Sequence, residues 1–424
     1  MACPVLIVRH FPELIIGSSP KMADQREKKL RTQNDDEVTG GDGEAISVEL
    51  PVDMVTDILV RLPVKTLLQF KCVSKPWCSI IAEPFFADSV LASFLACPSV
   101  STVVSICNPF GPGGSLCRFF RLDHQTGLST PIPLPDMPSG PHVKVLGSIN
   151  GFICLNDEDL THLCNPSTRE IAALPLTGPN FPAHLLGKIE SFAALGYDPA
   201  SKRYKVLKTW ILYLQYGGVV AAHKVLTLGT NSWRIVDDCP IKSPWDDCIC
   251  AEGAIHILTY DRMDRNVVVV TFNIVSEKFS MLLPPGGAVG SARKFKLKLF
   301  GEHLALLEYL HLWDNDMITM YVLDDYGSQA WKELRIVLPN SWKEGILGTS
   351  FFISITRNGD ILLFHTVLHR QAASYLVSYN VESKSMRKVQ IHGPPCHRFK
   401  GLAVLKCAPF DFVDNILSLN HLNS

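Results

Sequence analysis

From Val48 to about Ala96 the apolar positions of the chain recur at helical spacing. Val52, Val55, Leu59 and Leu62 stand three or four residues apart, and Pro51 sits where a first-turn proline costs no hydrogen bond. Pro63 opens a second short helix carrying Val64, Leu67, Leu68 and Cys72. Ser74 is placed to cap a third, with Pro76 in its first turn and Trp77, Ile80 and Ile81 on one face. Pro84 starts a fourth segment, PFFADSVLASF. On a helical wheel the apolar arc spans roughly 160° for Val52 to Leu62 and roughly 200° for Pro63 to Cys72. So short a helix facing one core needs less, and a unit of about 50 residues lies at the lower edge of what folds alone. The surplus face predicts a second covering surface, either another protein or the chain's own downstream domain.

Beyond Ser99 the pattern changes to short runs rich in Val, Ile, Phe and Leu, bounded by Gly, Pro, Asn and Asp, which read as β-strands. One phrase recurs: an apolar run, a polar turn and a second run. It stands as FFRLDHQTGLSTPIPLP at Phe119, HLCNPSTREIAALPL at His162, KVLTLGTNSWRIV at Lys224, VVTFNIVSEKFSMLLP at Val269, MYVLDDYGSQAWKELRIVLP at Met320 and YLVSYNVESKSMRKVQI at Tyr375. Measured at Thr126, Thr168, Thr230, Ser276, Ser328 and Ser383, the turns lie 42, 62, 46, 52 and 55 residues apart. Periods of about 40 to 50 residues belong to four-stranded propeller blades. Ahead of most hairpins stands a small loop and an apolar run: INGFICL at Ile149, AEGAIHIL at Ala251, FGEHLALL at Phe300 and RNGDILLF at Arg357. Each predicts an inner strand entered through a glycine turn. An irregular β-sandwich with coincidental spacing is the competing reading. The predicted fold class is α+β multidomain: a leader and disordered tail over 1–47, a small helical domain over 48–96, an all-β, propeller-like domain over 99–407 and a C-terminal tail over 408–424.

Composition narrows what such a chain does. The length of 424 residues predicts two to three units at about 150 residues each. With 40 basic and 41 acidic side chains the net charge is -1, which lacks the basic excess of a surface for nucleic acid or anionic membrane. No aliphatic run exceeds the four residues of Val267 to Val270, far short of the roughly 18 residues of a membrane span. The N-terminus MACPVLIVRHFPELIIGSS lacks a basic n-region and is interrupted by Arg9, His10 and Glu13, so it reads as an unstructured leader rather than a signal peptide. Lys21 to Ser47 has no aromatic residue and dense charge, the composition of a flexible tail. Within it REKKLR, Arg26 to Arg31, is only weakly like a nuclear-import patch, and Met22 is a second candidate start. Thirteen cysteines without dense spacing fit free thiols in a reducing compartment, and Pro166 blocks the sole glycosylation sequon, at Asn165. The expected location is cytoplasmic, nuclear or both.

The run LPVDMVTDILVRLPVKTLLQFKCVSKPWCSIIAEPFF, Leu50 to Phe86, resembles an F-box. The likeness lies in Leu50-Pro51, the Ile58-Leu59-x-Arg61-Leu62-Pro63 block, Leu67-Leu68-x-Phe70-Lys71-Cys72-Val73-Ser74-Lys75, and Trp77 with Ile80 and Ile81. Asp57 stands where Glu is commoner and Cys78 where a basic residue is usual; neither changes the apolar set. The downstream domain is similar to the F-box-associated, kelch-like domain of plant F-box proteins. Its phrases stand as Asn150-Gly151-Phe152, Asn165-Pro166-Ser167-Thr168-Arg169-Glu170, Leu195-Gly196-Tyr197-Asp198-Pro199 with Tyr204-Lys205-Val206, Asn231-Ser232-Trp233-Arg234 and Gly253-Ala254-Ile255-His256. Tyr326-Gly327 with Trp331, Leu376-Val377-Ser378-Tyr379 and the closing DFVDNILSL from Asp411 complete it. The resemblance implies a substrate receptor of an SCF-type cullin-RING ubiquitin ligase, with no active site of its own. The F-box would bind a Skp-type adaptor, and through it cullin and RING subunits, while the β domain would hold the protein to be ubiquitinated. On this resemblance the adaptor-binding residues would be Leu50, Pro51, Ile58, Leu59, Leu62, Pro63, Leu67, Leu68, Cys72, Val73, Trp77 and Ile80. Two other readings are a propeller-type enzyme or glycan-binding domain with a helical cap, and an F-box scaffold acting outside a ligase.

Chemistry-bearing constellations are sparse. Cys248 and Cys250 form a C-x-C and His392, Cys396 and His397 lie close together, yet neither makes a four-ligand zinc set, so no metal and no cofactor is expected. His162 with Cys164, and His365 with Val367, alternate onto strand faces without an acid, base or oxyanion partner, and no catalytic residue is assigned. GPGGS, Gly111 to Ser115, lacks the spacing of a phosphate loop. Asn156-Asp157-Glu158-Asp159 and Trp245-Asp246-Asp247 read as exposed blade loops. Trp233 and Trp331 follow turns at matching places in the repeat, which favours blade packing over ligand contact.

Overall fold

The computed structural model describes residues 50–96, 101–108, 116–123, 128–134, 143–157, 160–245, 247–261, 266–285, 295–345, 351–356, 359–365, 367–368, 374–391, 403–404 and 406–422. The leader, the charged tail with REKKLR and Met22, GPGGS, and His392 with Cys396 and His397 lie outside those residues. The chain divides into two compact units between Ser89 and Val90, inside its fourth helix rather than at its end.

The first unit carries α1 (Val52–Val60), α2 (Val64–Phe70), α3 (Lys75–Ala82) and the start of α4 (Pro84–Leu95). Proline punctuation sets the starts. Pro51 and Pro63 occupy the N-cap positions of α1 and α2, one residue earlier than a first-turn proline, with extended ψ near 142° and 143°. Ser74 caps α3, its side chain accepting a hydrogen bond from Trp77 N at 3.2 Å, with Pro76 in the first turn. Val55 and Leu59, one turn apart on α1, are buried together with Val64, Leu67 and Ile81.

The second unit is a six-bladed propeller. Blade one takes β1 (Ser101–Asn108), β2 (Leu116–Asp123) and β3 (Leu128–Ile132); blade two β4 (Lys144–Ile149), β5 (Phe152–Asp157), β6 (Leu160–Asn165) and β7 (Glu170–Ala173). Blade three holds β8 (Gly187–Asp198), β9 (Arg203–Leu214), β10 (Val219–Thr227) and β11 (Trp233–Val236); blade four β12 (Asp247–Ala251), β13 (Ala254–Tyr260), β14 (Val267–Asn273) and β15 (Phe279–Leu282). Blade five has β16 (Phe295–Phe300), β17 (His303–Glu308), then the short α5 (Leu312–Asn315), β18 (Met317–Asp325) and β19 (Ala330–Val337). Blade six has β20 (Phe351–Ile355), β21 (Asp360–His365), β23 (Ser374–Asn380) and β24 (Ser385–Ile391); a side ladder pairs β22 (Val367–Leu368) with β25 (Ala403–Val404). The chain ends in β26 (Lys406–Phe412) and α6 (Leu419–Leu422). The runs INGFICL, AEGAIHIL, FGEHLALL and RNGDILLF supply the second strand of blades two, four, five and six, not the innermost. Their turns join the innermost strand to the second, with Asn150 and Gly151 at φ 50° and 82° and Glu252 and Gly253 at 48° and 71°, the left-handed pairs of a tight hairpin.

The core is divided into wedges between neighbouring blades, and strands there are apolar on both faces. In β14, Val267 and Val269 enter the cluster shared with blade five while Val268 and Val270 enter the one shared with blade three. In β5, Phe152 and Cys154 face blade three, and Ile153 and Leu155 face blade one. This accounts for the aliphatic run at Val267. The outer hairpins share a second device. Asn165, Asn273, Asp325 and Asn380 each accept a backbone N–H two or three residues on, from Ser167 (3.0 Å), Ser276 (2.8 Å), Ser328 (2.7 Å) and Ser383 (2.7 Å). The residue four positions after each, Arg169, Glu277, Gln329 and Lys384, has positive φ.

The first five residues of the expected tail over 408–424 belong to a strand instead. β26 pairs antiparallel with β1, from Ser101 opposite Phe412 to Cys107 opposite Lys406, and completes blade one as its innermost strand. The innermost strands β26, β4, β8, β12, β16 and β20 then adjoin one another in a closed ring. Beyond β26 the chain is anchored on blades one and two. Arg121 donates to both Asp414 carboxylate oxygens at 2.8 and 2.6 Å. The buried Asn165 Nδ2 donates to the carbonyls of Asn415 and Leu417 at 3.0 and 2.9 Å, and Asn415 Nδ2 donates to Asn150 O at 2.6 Å. Glu170 accepts from Ser418 Oγ and Leu419 N at 2.9 and 2.7 Å. Leu419 is buried in the wedge between blades two and three.

Of the two segments expected as exposed acidic loops, the described residues Asn156 and Trp245 are interior instead, with Asp157 and Asp247 half-buried. Asn156 ends β5 buried, donating to Ser191 O and Oγ at 3.2 and 3.0 Å, beside the buried Lys208, whose Nζ donates to Thr161 Oγ1 at 3.1 Å. Trp245 is buried and stacks on Phe192 at 5.7 Å, while Asp247 accepts from Leu297 N at 3.1 Å. Each sits where inter-blade packing closes over it.

Gly151 tests the closure. A Cβ there would meet Val413 O at 2.3 Å and Asn415 Cβ at 2.8 Å, on a backbone with φ 82°. Gly151→Ala is expected to destabilise the propeller by about 3 kcal/mol or more in urea unfolding, and a chain ending at residue 404, without β26, to fail to fold cooperatively. Burial also holds His223 and His256 neutral, down at about 4, with Lys242 adding repulsion at His223. The unfolded rings titrate near 6.5, so the unfolded chain takes up protons first and stability falls as pH drops from about 6.5 toward 4. Between pH 7 and pH 5 each ring should cost about 2 kcal/mol. The loss in urea unfolding should shrink by that amount in His256→Gln.

Candidate functional site

The helical unit presents apolar side chains for which a lone domain has no use. Ile58 is 52% exposed, Val73 68% and Phe85 72%, and Val52 and Met54 are exposed as well. On α1, Met54 and Ile58 lie one turn apart, making an exposed strip beside the buried Val55 and Leu59. Val73 stands in the turn after α2, and Phe85 is turned outward while its neighbour Phe86 is buried.

The twelve residues assigned to adaptor binding divide by burial. Pro51, Ile58, Pro63, Cys72 and Val73 are exposed, and Leu50, Leu62, Leu68, Trp77 and Ile80 are half-buried. Leu59 and Leu67 are already covered in the folded free chain, at 2% and 0% exposure. Trp77 packs on Phe70 with ring centroids 4.7 Å apart, and its shielded Nε1 finds no acceptor among the described residues. Sequence reasoning missed Val52, Met54 and Phe85. Val52 shares the helical spacing of Val55 and Leu59, yet as the first residue of α1 it is exposed. The i, i+4 spacing of Met54 and Ile58 was the available signal; Phe85 had none, since two adjacent phenylalanines on a helix do not reveal which is covered.

The propeller's recurring phrases prove to be clamps between blades. Trp233 Nε1 donates to Pro175 O at 2.9 Å and Trp331 Nε1 to Leu283 O at 3.1 Å, each catching the exit of the preceding blade. Glu277 of blade four accepts from Lys205 at 2.7 Å and from both terminal nitrogens of Arg234 at 2.7 and 2.6 Å. Burial pushes its carboxyl up, but the bonds from Arg234 and Lys205 outweigh that and hold it below the usual range. Gly196 admits the Ile274 side chain of the next blade, which a Cβ would meet at 2.6 Å.

A cavity of about 280 Å³ at the inner strands is lined by Ile149, Leu195, Cys250, Lys298 and Ser354, among others. Lys298 there reaches Asp247 at 3.6 Å. Burial pushes the Cys154, Cys164 and Cys250 thiols up to about 12, with Cys248 also raised well above its ordinary value, so none is a thiolate at neutral pH. His162 is held below its usual value by burial, and with Cys164 it sits in the inter-blade packing. Among the described residues no three His, Cys, Asp or Glu side chains come together as a metal site, and no single helix is long and apolar enough to cross a membrane.

Comparison with known proteins bears on both units. Residues 48–87 match the model of the F-box domain and residues 116–416 that of the F-box associated beta propeller domain. The chain is similar to the F-box protein At1g30790 of Arabidopsis thaliana, 28% identical over 366 residues, covering 81% of this chain and 90% of the relative. It is likewise 28% identical over 389 residues to the F-box protein At5g65850 of the same plant, covering 89% and 92%. With the second match spanning most of the chain and a six-bladed propeller observed over it, the chain belongs to the family of plant F-box proteins that carry an F-box-associated β-propeller domain.

Proposed function

We propose that the chain is the substrate-recognition subunit of an SCF-type ubiquitin ligase. Its F-box binds a Skp-type adaptor, which links it to cullin and RING subunits, and its propeller holds the protein to be ubiquitinated. The observation that carries this reading is the set of apolar side chains left exposed on the helical unit, Val52, Met54, Ile58, Val73 and Phe85. Covering a Val, Ile or Phe contributes about 1.5 to 3 kcal/mol, so a partner that buries several of them gains enough for stable docking. The transfer chemistry belongs to the partner enzymes. This chain supplies proximity, raising the target's effective concentration near the loaded ubiquitin. The protonated interior thiols and the neutral, hydrogen-bonded His223 and His256 support a non-catalytic role. The reading carries with it a cytoplasmic or nuclear location, checked by imaging a tagged full-length chain.

Ile58→Asp and Val73→Asp should each weaken co-purification of a Skp-type adaptor by about tenfold or more, since a charge placed in a dry interface costs several kcal/mol. Their thermal midpoints should stay at the wild-type value, because both side chains face solvent in the free chain. Leu67→Asp should instead melt the helical unit. Undiminished adaptor binding by the Ile58→Asp, Val73→Asp double variant overturns this surface, and adaptor binding without any cullin in the complex favours a scaffold acting outside a ligase.

A further inference from the structure

Blade three is built to a different length from its neighbours. β8 and β9 run for 12 residues each and β10 for 9, while β11 has 4 and pairs only with His223 to Leu226. Val219 to Ala222 therefore pairs with β9 on one side and, among the described residues, with no strand on the other. The chain that would have continued β11 turns away at Asp238, where φ is 66°. At the tip, Gly217 and Gly218 both have φ of 91° and Tyr216 is 100% exposed.

The register shows which groups the open edge presents. Leu214 N donates to Gly218 O at 3.2 Å and Leu228 N to Tyr204 O at 2.9 Å, one bond beyond each end of the β9–β10 ladder. Bonded and non-bonded positions alternate in an antiparallel pair, so the even-numbered residues of β10 bond to β9. Val219 and Ala221 thus turn both N–H and C=O outward. Their side chains join the wedge between blades three and four, while Val220 and Ala222 stand opposite Leu212 and Trp210. The four side chains of the edge are apolar on both faces of the blade, with Lys224 over the Trp210 ring at 5.9 Å at its inner end.

Outer edges elsewhere carry protection against strand pairing. β3 and β24 are taken up with each other, pairing in parallel at Leu128 and Gln390, β19 carries Lys332, Glu333 and Arg335, β7 carries Glu170, and β15 is only 4 residues long. Val219 to Ala222 has neither charge nor proline. We propose that this edge binds an extended, uncharged segment of the target protein by strand addition, in line with β11. Main-chain bonds to Val219 and Ala221 supply the affinity and the apolar slot the selectivity. The identification of the occupant as a target rests on the receptor reading; the edge itself does not.

The test uses the full-length chain in complex with its adaptor and a fluorescein-labelled heptapeptide of alternating valine, threonine and tyrosine, followed by anisotropy. Saturable binding is expected, falling by about tenfold or more in Ala221→Pro, which removes an outward N–H without breaking a bond to β9. Ala221→Val should retain binding. N-methylation of the peptide at one alternating set of amides should abolish binding, and at the other set should not. Adaptor capture should be unchanged in Ala221→Pro, and Ile58→Asp should lose the adaptor but keep the peptide, so that failure of the edge and failure of the receptor reading are distinguishable. No saturable binding, or equal binding by Ala221→Pro, overturns the proposal. So does a wild-type dimer that becomes monomeric in Ala221→Pro, because a second copy then occupies the edge.

Discussion

The β unit depends on one pairing, that of β26 with β1. Neither blade one nor the ring of innermost strands exists without it, since the strand that completes both comes from the far end of the chain. Such a contact closes a loop of about 300 residues, and its entropic cost is met only once intervening blades are in place. The anchors that follow it serve the same end. Asp414, Asn415, Ser418 and Leu419 are held by Arg121, Asn165, Asn150 and Glu170. The phrase Asn165 to Glu170, which stands in the sequence as a family marker, is the dock for the C-terminus.

Closure also explains what the propeller lacks. Strands such as β5 and β14 bury both faces, so their side chains are committed to the wedges. The conspicuous aromatic and charged residues, Trp233, Trp331, Lys205, Arg234 and Glu277, are taken up in joining one blade to the next. Among the described residues, what the wedges do not use is the loops, the strand ends and the uncharged edge on blade three. The helical unit follows the opposite economy. Its core is small, built on Val55, Leu59, Val64, Leu67 and Ile81, and it leaves Ile58, Val73 and Phe85 in solvent.

Much of this was legible in the sequence because it is local. Helix starts are written in Pro51, Pro63, Ser74 and Pro84, whose backbone preferences act over a single turn. Six hairpins show in the sequence, each a short polar stretch between apolar runs, and the structure makes each the outer part of one blade. A sharper local signal is Asn or Asp followed three residues later by Ser or Thr, at Asn165, Asn273, Asp325 and Asn380, which is the chemistry of a side chain capping its own turn.

What only the tertiary structure decided concerns sides and partners. Periodicity shows that a residue is apolar, not which neighbour covers it, so Leu67 and Ile58 look alike in the sequence and differ as core and surface. Asn156 and Trp245 read as loop residues because their burial comes from other blades. The closing strand looked like a tail because its partner lies at the opposite end of the domain, and spacing along the chain carries no record of a pairing that remote. By itself the sequence determined the local elements, their order and the family; the fold decided which of their faces meet, because burial is a property of surfaces brought together across the chain.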